Sequence, residues 1–207
     1  MKAVRVEKQG GPEVLKLLDV APLGAPGPGQ AVVRLVAAGV NFLDVGQRRG
    51  TYPRQVPFTL GVEGAGVVES VGEGVRNVKP SDRVAFTGMP GAYSEAILAD
   101  ADRLIPLPSE FTFEESAAFP LQGMTAHYLI HEFRRPVPGS FVLIHAAAGG
   151  MGGPKAPFSD SFISVPDIVS GKINMLPAYR REMCQKRFIN RATIVAQRVL
   201  DRPCSTI

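Results

Sequence analysis

The stretch Gly64-Ala65-Gly66-Val67-Val68-Glu69-Ser70-Val71 runs straight into Gly72-Glu73-Gly74. It reads as a β-branched strand closed by a turn. The pattern recurs on both sides of it. Upstream, Met1–Lys8 alternates as a strand does, Gly10-Gly11-Pro12 marks a turn, and Val14–Val20 reads as the returning strand. Ala21–Gln30 holds three prolines and three glycines and is a loop, and Ala31–Ala37 is a further strand. Downstream, Arg83–Phe86 and Ala92–Leu98 continue the series. Many short strands punctuated by Gly and Pro predict a small irregular β-barrel.

The pattern changes near residue 109. Ser109 is placed to cap a short turn, Glu114–Ala118 follows, and Thr125–Phe133 has helical character up to Arg134-Arg135-Pro136. Phe141–Ile144 is a continuous apolar run of the kind buried on both faces of a parallel sheet. His145-Ala146-Ala147-Ala148-Gly149-Gly150-Met151-Gly152 follows directly. Glycines after an apolar strand let backbone N–H groups approach a pyrophosphate, and Gly152 would let a helix pack closely on the strand. The same residues also read as a flexible Ala/Gly linker. Beyond Gly153 the expected helix and second strand do not follow, because Pro154 and Pro157 stand where the helix should begin. Pro177–Leu200 has a loose apolar stripe opposite a basic face.

Composition narrows the function classes. At 45% hydrophobic and 20% charged residues the chain has ordinary globular composition. It has no apolar run of about 18 residues, as a membrane span would need, and its N-terminus has no apolar core of signal-peptide length. Cys184 and Cys204 are the only cysteines, which excludes a disulfide scaffold and fits a reducing, cytoplasmic setting. The net charge of +4 is not spread evenly: residues 153–207 carry nine Lys/Arg against four acids. The basic character therefore belongs to the tail.

Several motifs then occur in order: Gly10-Gly11-Pro12-Glu13-Val14-Leu15, Gly39-Val40-Asn41-Phe42-Leu43-Asp44, Arg49-Gly50-Thr51-Tyr52-Pro53 and Gly61-Val62-Glu63-Gly64-Ala65-Gly66. Asp82-Arg83-Val84, Gly91-Ala92-Tyr93 and the Ala146–Gly152 turn complete the set. Over residues 1–153 this resembles the quinone oxidoreductase (zeta-crystallin-like) branch of the medium-chain dehydrogenase/reductase superfamily. The resemblance implies a mixed α/β fold. A GroES-like β-barrel (1–120) leads into a connecting helix and the first Rossmann strand with its glycine turn (121–153). The nucleotide-binding domain is then truncated, and 154–207 is an unrelated basic tail with one helix near 177–200. The implied activity is zinc-independent transfer of hydride from NADPH to a quinone or another α,β-unsaturated carbonyl. NADH stays open beside NADPH, since the loop that separates them is not recognisable.

Zinc-dependent relatives carry Cys where Asn41 stands and His where Val62 stands, and neither residue here is a zinc ligand. His127 and His131 form an i,i+4 pair without a placed third ligand, so no metal is expected. The resemblance gives Asn41 and Tyr52 catalytic roles, Asn41 through its amide and Tyr52 through a phenol and ring face that can stack on a flat quinone. It gives cofactor contacts to Asn41, Phe42, Thr125, Tyr128, Gly149, Gly150, Met151 and Gly152, and sets Arg48 and Arg49 beside the cleft. Structural readings stand next to these. Asn41 and Asp44 also cap the helix-like turn after Val40, Thr125 and Tyr128 also serve helix capping and packing, and Tyr52-Pro53 also shapes a loop. Glu63 is expected to brace backbone near the site, and Ser81, in a place usually held by glycine, to carry mild strain. A homodimer is implied by the family, through the domain that is largely missing. Two other readings remain open: an inactive fragment keeping only the barrel as an interaction module, and a nucleic-acid or membrane binder acting through the tail. The second lacks interleaved aromatics beyond Tyr179 and Phe188.

Overall fold

A computed structural model describes residues 1–133. The Phe141–Ile144 strand, the Ala146–Gly152 turn and the tail fall outside the described residues. Within the described part, one compact unit covers Met1–Pro120 and a second begins at Leu121.

In the first unit, β1 (Lys2–Val6), β2 (Leu15–Asp19) and β4 (Phe58–Thr59) make a three-stranded sheet in the order β2-β1-β4. A five-stranded sheet is built from β3 (Gln30–Ala38), β5 (Glu63–Val71), β6 (Arg83–Thr87), β7 (Ala96–Asp100) and β8 (Ile105–Pro106), in the order β7-β3-β5-β6-β8. All pairings are antiparallel. β1 departs from the expected alternation: the consecutive Ala3 and Val4 are both buried, as is Val6, so the strand is covered on both faces there. β3 and β5 carry the main contact, with register shifts at Val32/Val33 and Leu35/Ala37. Such bulges bend the strands and let a short sheet curl. The core between strands is made of Val33, Val68, Val84, Phe86, Ile97 and their neighbours, and Val6, Val14, Phe58 and Leu60 form a second cluster under β1.

Two expectations are corrected. The strand read over Ala92–Leu98 begins only at Ala96, and Ser94 makes a single bridge to Ala3. The Ser94 hydroxyl explains this: it donates to Gly91 O at 2.7 Å or to Ala96 O at 2.8 Å, a local alternative to the ladder. The helix after residue 109, α2 (Phe113–Ala117), is capped by Thr112 and not by Ser109. Thr112 has Glu115 three residues on, and the two bond reciprocally: Glu115 N–H donates to Thr112 Oγ1 at 3.2 Å and Thr112 N–H to Glu115 Oε2 at 3.0 Å. α2 packs on β3, β5 and β6. The turn after Val40 is a two-turn helix, α1 (Phe42–Arg49). α3 (Pro120–His127) opens on a proline and runs into a π-helical turn, Tyr128–Phe133, so the helix starts five residues before Thr125.

Ser81 has φ +74° and is the only non-glycine with positive φ among the described residues. A Cβ is disfavoured there by about 1–2 kcal/mol. Ser81→Gly is therefore expected to stabilise the barrel by up to about 1 kcal/mol, after subtracting glycine's larger entropy in the unfolded chain. A urea midpoint that falls in the variant would contradict this.

Candidate active site around Asn41

The chain leaves β3 through Gly39 and Val40 and enters α1, with Asn41 in extended conformation as the N-cap residue. Asn41 is buried, yet its flanking neighbours Val40 and Phe42 are 43% and 79% exposed. A buried amide thus stands in the chain between two solvent-exposed apolar residues. Three polar groups meet here, the buried Glu63 and Asp44 carboxylates and the partly buried Tyr93 phenol. Asn41 Nδ2 donates to Glu63 Oε2 at 2.7 Å, across 22 residues of sequence. The Asn41 backbone N–H donates to Asp44 Oδ2 at 2.8 Å, which satisfies a donor at the start of α1. The Tyr93 hydroxyl donates to the same Asp44 oxygen at 2.8 Å. Asp44 Oδ1 is buried with no hydrogen-bond partner.

The electrostatics follow from this burial. Loss of solvent raises the Asp44 carboxyl above the usual carboxylate range, partly offset by the bonds from Asn41 and Tyr93. Burial, with the neighbouring Asp44 and Glu63 carboxylates, pushes the Tyr93 phenol far above its ordinary value. Tyr93 therefore stays protonated and acts as a donor.

The sequence-expected residues fall into three groups. Asn41 and Phe42 lie together at the start of α1. Asp44 does cap α1, through its carboxylate. Tyr52 lies beyond the C-terminal end of α1 and folds back on it: its backbone N–H donates to Gly46 O at 3.2 Å. Its ring covers Gly46 so closely that a Cβ there would stand 2.2 Å from Tyr52 Cδ2. Tyr52 keeps 47% exposure. Of the two arginines placed beside the cleft, Arg48 is buried, and its backbone carbonyl accepts from Gly10 N–H at 3.0 Å. Thr125 and Tyr128 belong to the second unit. The Thr125 hydroxyl bonds back to Leu121 O at 2.6 Å, and Tyr128 is 53% exposed with its ring 6.2 Å from that of Phe133. His127 and His131 do stack, with ring centroids 4.5 Å apart. Gly149, Gly150, Met151 and Gly152 lie outside the described residues.

Glu63, expected near the site, accepts from the Asn41 side chain through its carboxylate. Tyr93 was missed as a site residue. Its phenol reaches Asp44 across 49 residues, which no local periodicity reports.

Among known proteins, the alcohol dehydrogenase GroES-like domain matches residues 27–109. The chain is 44% identical over 153 residues to the quinone oxidoreductase of Pseudomonas aeruginosa, covering 73% of this chain and 47% of that protein. It is also 44% identical over 157 residues to a 2-haloacrylate reductase of Burkholderia sp, covering 72% and 47%. Among solved structures, the Pseudomonas syringae pv. Tomato DC3000 quinone oxidoreductase superposes with a TM-score of 0.71 at 44% identity, covering 78% of this chain and 50% of that one. The Escherichia coli quinone oxidoreductase complexed with NADPH gives 0.72 at 36% identity, with the same coverages. The chain thus spans about half the length of the curated relatives it matches. Barrel, ordered motifs and relatives agree: through its N-terminal part, this chain belongs to the quinone oxidoreductase branch of the medium-chain dehydrogenase/reductase superfamily.

Proposed function

We propose that this chain carries the substrate side of a zinc-independent, NADPH-dependent oxidoreductase that reduces quinones or other α,β-unsaturated carbonyls. The observation that carries the reading is the buried Asn41 amide set between the exposed Val40 and Phe42. A flat ring resting there gains apolar contact from Val40 and Phe42 and meets the one polar group of Asn41. These features suit a nicotinamide, and the NADPH complex of the Escherichia coli relative supports the choice. The chemistry of the donors supports a metal-free site. Val62, where zinc-dependent relatives place His, is a buried hydrocarbon, and the Asn41 amide is already committed to Glu63.

NADPH, when bound, supplies the hydride. The chain's own residues orient and shield. Phe42 and Val40 keep water from one side of the ring. Asn41 fixes orientation by hydrogen bonding, and Tyr52 offers a ring face and a hydroxyl to the acceptor. Thr125, Tyr128 and the Gly149–Gly152 turn are the further proposed cofactor contacts. The setting proposed is cytoplasmic, with a small-molecule partner, a homodimer as assembly, and neither nucleic acid nor membrane as ligand. Among the described residues no helix is long and apolar enough to cross a membrane.

The test is a titration of the full chain with NADPH, followed by nicotinamide fluorescence, and then addition of a simple quinone. Enhanced fluorescence that the quinone discharges is the expected result. No binding at millimolar NADPH would end the enzyme reading for this chain and favour the barrel as an interaction module. A salt-dependent interaction with DNA would instead favour the basic tail.

A further inference from the structure

We infer that Glu63 is the positioning residue for Asn41, with Gly39 providing the space that lets the two meet. This rests on the reading of Asn41 as a ligand contact and adds what holds it. Glu63 is the first residue of β5 and is 1% exposed. Its Oε2 accepts from Asn41 Nδ2 at 2.7 Å, short for a nitrogen donor and in the range of charge-assisted bonds. A terminal amide otherwise has two nearly isosteric orientations, differing by exchange of N and O. Here the orientations are not equivalent. Turning the amide over would set Asn41 Oδ1 against Glu63 Oε2, two acceptors without a proton between them. The carboxylate therefore directs Nδ2 inward and assigns Oδ1 to the other branch of the amide.

Gly39 completes the arrangement. A Cβ at Gly39 would stand 2.5 Å from Glu63 Oε2 and 2.3 Å from Ala117 O, so any side chain there would push the carboxylate from its place. The Gly39 N–H also donates to the Glu63 backbone carbonyl at 3.0 Å, which ties the β3 exit to the start of β5. Asp44 meanwhile holds the Asn41 backbone N–H. Main chain and side chain of Asn41 are thus fixed by two different buried carboxylates. A ligand meets an amide of set polarity, with its ordering already accomplished in the fold.

The test reads the amide itself, in the full chain labelled with 15N-asparagine. The sequence has four asparagines, at 41, 77, 174 and 190, and the Asn41 side-chain pair is assigned by its loss in Asn41→Ser. In the unsubstituted protein one Nδ2 proton is expected downfield and slow to exchange. With 13C-labelled Glu as well, a through-hydrogen-bond coupling to the Glu63 carboxyl carbon is expected. Glu63→Gln keeps the shape and removes the charge. It is expected to move that proton upfield and speed its exchange about fivefold or more, given that bonds to charged groups exceed neutral ones by roughly 1 kcal/mol or more.

An Asn41 pair at free-amide shifts, or one indifferent to Glu63→Gln, would overturn the proposal. The coupling is measured without any variant, so its absence would overturn it even where Glu63→Gln fails to fold. NADPH affinity and quinone reduction are scored separately on the same samples. An intact Asn41 signature with no cofactor binding would sink the oxidoreductase reading alone. Unchanged affinity after the signature is lost would sink the positioning role alone.

Discussion

Phe86→Ala is expected to lower the unfolding free energy of the barrel by about 3–5 kcal/mol, the range for large aromatic truncations in cores. Phe86 is 0% exposed and lies in β6, opposite Gly64 of β5. Its ring closes over that glycine, with Cζ 3.1 Å from where a Gly64 Cβ would be. The wall beneath the ring is backbone of a sheet paired on both sides, which cannot move inward to fill the space. The core cluster that holds the ring includes the β-branched Val33, Val68 and Val84, all nearly or fully buried. Their stiff rotamers leave little freedom to repack. Urea denaturation of the full chain, followed by far-ultraviolet circular dichroism, measures the loss. A loss below about 1.5 kcal/mol, the range of conservative hydrophobic swaps, would mean the core collapses around the site after all.

The second large effect is expected at Asp44. Asp44→Ala removes the acceptor shared by the Asn41 backbone N–H and the Tyr93 hydroxyl. A buried donor left unpaired costs about 1–3 kcal/mol, and the Tyr93 hydroxyl would keep only the Gly39 carbonyl at 3.4 Å, so a total near 2–4 kcal/mol is expected after relief of the carboxylate's own burial. The pH dependence separates the two contributions. Burial raises the Asp44 carboxyl, so the native chain binds that proton more tightly than the unfolded chain does. Between the unfolded and the native pKa the native state holds more protons, and stability falls as pH rises through that window. It is level again above the native pKa. Asp44→Asn removes the titration. The stability of the unsubstituted chain relative to Asp44→Asn should therefore decline from acid pH toward neutrality, read as urea midpoints across a pH series. A difference that grows toward neutral pH would show that the bonds from Asn41 and Tyr93 outweigh the cost of burial.

Much of the barrel is legible in the sequence. β2, β3, β5 and β6 lie within one or two residues of the expected strands, because alternation and Gly/Pro punctuation are local properties. Ser81 was legible too, since glycine's usual place in that turn already implied the left-handed backbone it adopts. The misplacements have local competitors as their cause. Ser94 diverts its hydroxyl to main-chain carbonyls and delays β7. Thr112 outcompetes Ser109 because it alone has Glu three residues on.

The sequence by itself determined the strand series, the family and the donor chemistry at positions 41 and 62, where an amide and a hydrocarbon stand. Those follow from residue identity and spacing along the chain. Only the tertiary structure decided which partners the buried polar groups take. Asn41 with Glu63, and Asp44 with Tyr93, are 22 and 49 residues apart. Their meeting depends on where β3 ends, how β5 starts opposite it, and how the chain returns past Gly61 to Tyr93. A buried carboxylate must find its donors wherever the fold brings them, and no periodicity along the chain records that choice.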